Sequence, residues 1–238
     1  MEAMILAAGL GTRLRPLTND RPKALVEMNG ITLLEYNLRQ LIGFGFNRIV
    51  INVHHFPDMI IDFVRSRKFE AEILFSDERE QLMDTGGALK KAAPLFSGKE
   101  PVLIHNVDIL STLDLGEIYR KHLGTKALAT LLVSKRDTAR QLLFGRDGQL
   151  IGWQNTTNNE TIWSGEPSQT FDSMAFSGIH IVNPDLFEML PEAAPYPIIP
   201  EYLKIAQYHK ILAFKHLAKD WLDVGKPETL KMAEKFIK

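Results

Sequence analysis

Two stretches near the N-terminus concentrate groups that could handle a multiply charged anion. In Leu6-Ala7-Ala8-Gly9-Leu10-Gly11-Thr12-Arg13-Leu14-Arg15-Pro16 an apolar run ends in two glycines one residue apart, and Arg21-Pro22-Lys23-Ala24-Leu25-Val26 follows soon after. Between Arg13 and Lys23 stand four basic side chains and a single acid, Asp20. Glycines let the backbone turn tightly and bring its N–H groups close to a ligand. Arg13 and Lys23 add charge at the same place, one as a planar fork and the other as a mobile point charge. This is the pattern of a phosphate-binding loop, against the plainer alternative of a solvated turn. Two carboxylates, Asp108 and Asp223, each close an apolar run. Mg²⁺ is commonly held by one or two carboxylates together with substrate phosphates, so loop and acids together suggest metal-assisted phosphate chemistry.

Rival phosphate motifs are missing. There is no Gly-x-x-x-x-Gly-Lys-Ser/Thr, and Gly9-Leu10-Gly11-Thr12-Arg13-Leu14 lacks the third glycine of a dinucleotide fingerprint. Basic side chains inside the loop favour a triphosphate over the less charged pyrophosphate of NAD. The chain has no cysteine, which removes thiolate nucleophiles, thiolate metal sites and disulfides together.

These groups need a scaffold that gathers distant loops. Met4 to Ala8 reads as a buried strand, and Thr32-Leu33-Leu34-Glu35 as a capping box opening a helix with Leu34, Leu38, Leu41 and Ile42 on one face, stopped at Gly43 and Gly45. Further strands are expected at Ile49–Val53, Glu72–Phe75 and Val102–His105, with a helix at 57–67 and a helix start after Asp84-Thr85-Gly86-Gly87. The alternation predicts an α/β fold with a Rossmann-like, mostly parallel sheet and helices on both faces. In such sheets ligands sit beyond the carboxyl ends of the strands, where Gly9–Lys23, Asp84–Gly87 and Asn106–Asp108 would meet.

Past Asp108 the pattern becomes more β-rich. Ala127–Val133 reads as a strand, and Leu142–Phe144 and Leu150–Trp153 as a hairpin around Gly145-Arg146-Asp147-Gly148. Residues 155–172 have no periodicity and are expected as a long loop, either a substrate lid or a surface excursion. Phe176–Val182 and Ile211–Lys215 read as strands, Pro184–Leu190 and Ile199–Gln207 as short helices, Trp221–Gly225 as a strand end, and Pro227–Ile237 as a closing helix. A single domain over 1–238 is expected, with residues 1–110 as a nucleotide-binding half and 111–238 as a sugar-phosphate half carrying the smaller hairpin lobe.

Of the 238 residues 45% are hydrophobic and 24% charged, with a net charge of -1. That composition is globular and offers no global field for nucleic acid or an anionic membrane, so any anion site must be local. Neither a signal peptide nor a membrane span is legible at the N-terminus, making the cytoplasm the default compartment.

The loop motif, Arg-Pro-Lys-Ala-Leu-Val, Thr85-Gly86-Gly87, Asn106-Val107-Asp108, Phe176-Ser177-Gly178 and Trp221-Leu222-Asp223-Val224-Gly225 together resemble the sugar-1-phosphate nucleotidyltransferases, in order along nearly the whole chain. Within that family the chain is most similar to the short uridylyltransferases acting on N-acetylmuramate 1-phosphate, which lack a C-terminal β-helix domain. The resemblance implies a nucleoside triphosphate and a sugar 1-phosphate as partners, Mg²⁺ as cofactor, and a homodimer as a candidate assembly. It implies that Leu6, Ala7, Ala8, Gly9, Gly11 and Thr12 form the nucleotide loop, that Arg13 and Lys23 act on phosphates with Asp108, and that Thr85, Gly86, Gly87 and Asn106 contact the nucleotide. Asp108 and Asp223 would hold the metal, and Arg140, Asn155, Ser177, Gly178 and Asp223 would face the sugar phosphate. A sugar phosphate already exposes a nucleophilic oxygen at neutral pH, its second pKa lying near ~6, so no Ser, Cys or His is needed. The seven histidines are therefore left to surface or packing roles.

Departures bear on the substrate. Gln154-Asn155-Thr156 stands where many hexose-1-phosphate members carry Glu-Lys-Pro, Val107 where glycine is common, and Thr138-Ala139-Arg140 in place of a glycine-containing sugar contact. Arg140 could meet a carboxylate such as the lactyl group of muramate. The competing readings are a guanylyltransferase for mannose or heptose phosphate, a phosphocholine cytidylyltransferase, and a silent regulatory member that senses nucleotide sugar.

Overall fold

The computed structural model describes residues 1–192 and 195–236. The first strand, β1 (Glu2–Leu6), is buried at the centre of a ten-stranded sheet. A ribbon of β2 (Glu27–Met28) and β3 (Ile31–Thr32) follows, turned by Asn29 and Gly30 at φ 51° and 78°, the left-handed pair that a tight hairpin requires. Helix α1 (Leu33–Gly43) starts as expected, with Thr32 accepting from the Glu35 N–H at 3.1 Å. Then come β4 (Arg48–Val53), α2 (Pro57–Arg65), β5 (Glu72–Asp77), α3 (Asp84–Ala92) and β6 (Val102–Asn106). The order β5-β4-β1-β6 is parallel throughout, so all four strands end on one edge, where Leu6 is level with both Asn52 and Asn106.

Alternation along β1 explains the two-sided covering. Ala3 and Ile5 point into a core with Leu34 and Leu38 of α1 and Ile60 of α2, whereas Met4 points to the other face and packs in the cluster of Leu89 from α3. The expected helices on both faces of a mostly parallel core sheet are present.

Beyond β6 the chain adds β7 (Ile109–Ser111), α4 (Leu115–Leu123), β8 (Ala129–Ser134), β9 (Arg140–Phe144) and β10 (Leu150–Asn155). The hairpin turn forms as predicted, with Gly148 at φ 79°. The expected loop over 155–172 is in part a strand. Its first half turns at Thr156–Asn159 and returns as β11 (Glu160–Trp163), extending the hairpin to a three-stranded meander. As an edge strand with one open face, β11 needs no apolar alternation, which is why periodicity missed it.

Strand β12 (Asp172–Val182) joins the halves: its first residues pair with β9, and Ile179–Val182 pair antiparallel with β6. Between them the register breaks at Gly178, φ 71°, where a Cβ would come within 2.8 Å of the Asn106 amide. Helices α5 (Asp185–Met189) and α6 (Ile198–Ile205), strands β13 (Ile211–Lys215) and β14 (Trp221–Asp223), and α7 (Pro227–Phe236) complete the chain. Ile237, expected in the closing helix, lies outside the described residues. Among the described residues no helix is long and apolar enough to cross a membrane.

Candidate active site

The glycine loop leaves β1 at the strand edge and is held there by a residue of the neighbouring strand. Asn52 stands one residue before the end of the buried run of β4, and its Oδ1 accepts from the N–H groups of Ala7 at 2.7 Å and Ala8 at 3.3 Å. Its Nδ2 donates to Oε1 of Glu78 at 2.8 Å, and Oε2 of Glu78 accepts from the Met83 N–H at 3.1 Å. Burial pushes the Glu78 carboxyl above its ordinary value, against the opposing pull of these bonds. A polar chain thus ties the loop after β1 to the start of α3. Farther on, Gly11 takes φ 64°, and a Cβ there would press on Thr18 and on the stem of Lys23.

Lys23 is itself buried, sits in a short 3-10 turn after Pro22, and donates its ammonium to Oδ2 of Asp108. Arg13, more than half exposed, reaches 3.9 Å from the same oxygen. Asp223 arrives through a second sheet: β14 pairs antiparallel with β7, placing Asp223 opposite Ile109, and the Val224 N–H donates to the Asp108 carbonyl at 2.9 Å. Asp223 Oδ1 accepts from the Gly225 N–H at 2.7 Å, and the Arg13 guanidinium lies so close over Gly225 that a Cβ would meet it at 2.7 Å. Two of the four loop cations, Arg13 and Lys23, and both predicted carboxylates are therefore gathered in one place, whereas Arg21 pairs with Asp20 and Arg15 lines neither neighbouring cavity.

Two cavities open beside them. The first, of about 550 Å³, is lined by Leu6, Ala8, Gly9, Lys23, Asn52, Glu78 and Thr85. The second, of about 410 Å³, is lined by Arg13, Arg136, Arg140, Ser177, Gly178, Trp221 and Asp223. Asn106 and Asp108 border both. One chamber thus carries the glycine loop, the other three guanidinium groups, and a carboxylate stands at the junction.

Not every predicted residue presents a free group to a chamber. Gly86 and Gly87 lie in the first turn of α3, where both N–H groups donate to the Tyr196 carbonyl and the Tyr196 ring covers Gly86 so closely that a Cβ would lie 2.4 Å away. They border neither cavity, and their N–H groups are engaged. Thr85 does line the first chamber, though its hydroxyl accepts from the Ile198 N–H at 3.0 Å. Gly11 and Thr12 lie in the turn outside both linings, and the Ala7 N–H is taken by Asn52. Asn155 faces Arg140 across the β9–β10 ladder, but its Oδ1 accepts from the Thr157 N–H and closes the turn to β11. Ser177 is fully buried, hydrogen-bonded to His216 Nε2 at 2.7 Å, while its carbonyl accepts from the Trp221 indole at 2.6 Å.

The profile of the family described as "Nucleotidyl transferase" matches residues 2–238. The chain belongs to the nucleotidyl transferase family. It is 32% identical to the N-acetylmuramate alpha-1-phosphate uridylyltransferase of Caulobacter vibrioides, over 98% of this chain and 95% of that protein. It is 29% identical to the mannose-1-phosphate guanyltransferase of Debaryomyces hansenii over 96% of this chain, which spans only 62% of that relative. Among solved structures, HddC from Yersinia pseudotuberculosis complexed with GMP-PN superposes with a TM-score of 0.76 at 23% identity, covering 100% of this chain and 99% of that one. A putative glucose-1-phosphate thymidylyltransferase from Bacillus anthracis superposes at 0.78 with 18% identity, covering 99% and 94%. At those identities the likeness is one of fold.

The candidate site contains residues that spacing did not reveal. Asn52 interrupts an otherwise β-branched run, and a polar residue on a buried strand was the available signal for it. Glu78 and Arg136 follow strand ends, but no motif marks them.

Proposed function

We propose that the protein transfers a uridylyl group from UTP to N-acetylmuramate 1-phosphate and releases pyrophosphate. The observation that carries the transfer reaction is the pair of chambers meeting at Asp108. A triphosphate seated on the Gly9 loop would bring its α-phosphorus to the junction, and an acceptor phosphate in the arginine-lined chamber would approach from the other side. The acceptor oxygen forms a bond to that phosphorus while the bond to the bridging oxygen of the leaving pyrophosphate breaks. Lys23 and Arg13 offset the charge that develops, so the reaction rests on positioning and electrostatics.

The residues present suit Mg²⁺. Asp108 and Asp223 are hard oxygen donors bordering one cavity, and no group of three or more His, Cys, Asp or Glu that could hold a metal occurs among the described residues. Two carboxylates with the remaining positions left to phosphate and water is the set this ion takes. When bound, it would polarise the phosphate oxygens and orient them.

Uridylyl transfer is supported by the match to a uridylyltransferase over nearly the full length of both chains. The muramyl acceptor is supported by Arg140, whose exposed guanidinium stands at the rim of the second chamber, where a sugar carboxylate could meet it. The relatives named as guanyltransferases favour guanylyl transfer to mannose 1-phosphate as the second reading. The deciding assay is pyrophosphate release with UTP, GTP, CTP and dTTP crossed with N-acetylmuramate, glucose and mannose 1-phosphates and phosphocholine. UTP with the muramyl phosphate is expected to lead. A preference for GTP with mannose 1-phosphate refutes this in favour of the second reading, and binding without turnover at saturating Mg²⁺ points to a sensor. Arg140→Ala should erase discrimination between muramyl and glucosaminyl phosphates; unchanged preference removes its role.

A further inference from the structure

The cations at and beside the second chamber differ in what already holds them. Lys23 donates to Asp108, Arg13 is drawn to Asp108 and lies over Gly225, and Arg140 is exposed at the rim. Arg136, just past the end of β8, differs from all of them. Its guanidinium stacks on Trp221, with Cζ 3.6 Å from the ring centroid. Nε donates to Ser134 Oγ at 2.9 Å and Nη2 donates to the Phe176 carbonyl at 2.7 Å. Trp221 is pinned in turn by its indole bond to the Ser177 carbonyl. The group is half-buried, and burial lowers its pKa while the charge of Asp223 raises it.

Among the described residues Arg136 makes no ion pair, and Nη1 makes no hydrogen bond. A guanidinium carries five N–H donors, so the neutral partners on one side leave part of the fork unsatisfied. Asp223 acts on this charge only from beyond ion-pair distance, and holding a guanidinium partly out of water with no anion in direct contact is unfavourable, a cost that an anion bound to its free edge would offset. The stack and the two bonds also restrict the side chain before any ligand arrives, which lowers the cost of ordering it on binding.

We infer that Arg136 binds the phosphate of the sugar 1-phosphate acceptor and orients its attacking oxygen toward the junction at Asp108. A phosphate dianion matches the planar fork, and Arg136 is the one guanidinium of this chamber that is both clamped by neutral partners and unpaired. Arg140, farther out, is left to the sugar. This inference rests on the transfer reaction proposed above.

The test is steady-state kinetics of the wild type, Arg136→Lys and Arg136→Gln with UTP and N-acetylmuramate 1-phosphate, extended to the other donors and acceptors if that pair is silent. Circular dichroism of each variant accompanies the kinetics. Losing charged hydrogen bonds to the acceptor should raise its KM roughly ten- to hundredfold in Arg136→Gln. The KM for the nucleotide should stay within twofold, with Arg136→Lys intermediate because it keeps the charge and loses the fork. An unchanged acceptor KM in an active protein overturns the Arg136 assignment alone. So does an equal rise in both KM values, the mark of a general loosening of the chamber. Should Arg136→Gln not fold, the folded Arg136→Lys decides by the same split. A wild type that turns over no donor and acceptor pair overturns the parent reading and this one with it.

Discussion

Acidification should destabilise this protein through two histidines in the sheet beneath the site. His105 on β6 and His180 on β12 are both about 1% exposed, and burial holds their pKa values down at about 4 and about 3. His105 bonds to the Asn106 carbonyl at 2.8 Å, whereas neither nitrogen of His180 has a partner. Each histidine takes up a proton near pH 6.5 in the unfolded chain and stays neutral in the fold down to its lowered value. Their contribution to stability is therefore intact above about pH 6.5 and falls away toward pH 4 and 3. Between pH 7 and pH 5 the loss amounts to about 2 kcal/mol for each, about 4 kcal/mol in all, a large part of an ordinary folding free energy of about 5–15 kcal/mol. Urea unfolding followed by circular dichroism at the two pH values measures it. His180→Phe fills the same space against Phe176 and Tyr202 without unpaired nitrogens, so it should halve the loss and leave stability at pH 7 equal or higher. A loss in His180→Phe as large as in the wild type would refute the reasoning, because His180 would then be titrating normally inside the fold.

Asp108→Asn or Asp223→Asn should lower turnover by at least a hundredfold, with circular dichroism unchanged; full activity in either removes the carboxylate pair from the mechanism. Asn52→Ala strips the acceptor from two loop N–H groups and a donor from buried Glu78, and should cost about 2–4 kcal/mol in urea unfolding as well as raise the KM for the triphosphate. A variant with wild-type stability and kinetics would show that the loop holds its shape without β4.

Which features were legible in the sequence follows from what made them necessary. The strands β1, β4 and β6 announce themselves because each is covered on both faces and must be apolar almost throughout. Asp108 and Asp223 stand out as acids placed where apolar runs stop, and they reach one cavity by different routes, Asp108 after β6 at the main sheet's edge and Asp223 through the separate β7–β14 ladder. Gly86 and Gly87 take a nucleotide-facing role from the resemblance, yet the missing Cβ of Gly86 makes room for Tyr196, a contact across the fold that local sequence does not encode. Asn155 sits next to a chamber residue in the ladder but serves its own turn. Arg136 carries no motif because its surroundings come from three separate segments, at Ser134, Phe176–Ser177 and Trp221, and only their packing makes it distinctive.

The pairing of β7 with β14 also constrains when the chain can first work. Asp223 reaches Asp108 only after that short antiparallel ladder has formed, and β14 is the last strand of the described chain. While the protein is being synthesised, the Gly9 loop and Lys23 emerge well before Asp223 and can assemble on the parallel strands, whereas the partner of Asp108 leaves the ribosome only after β8 to β13 have done so. On the proposed reading, a chain that has made the sheet but not yet the β7–β14 ladder would hold a triphosphate before it could commit one to reaction, and a cut just before β14 would separate binding from turnover.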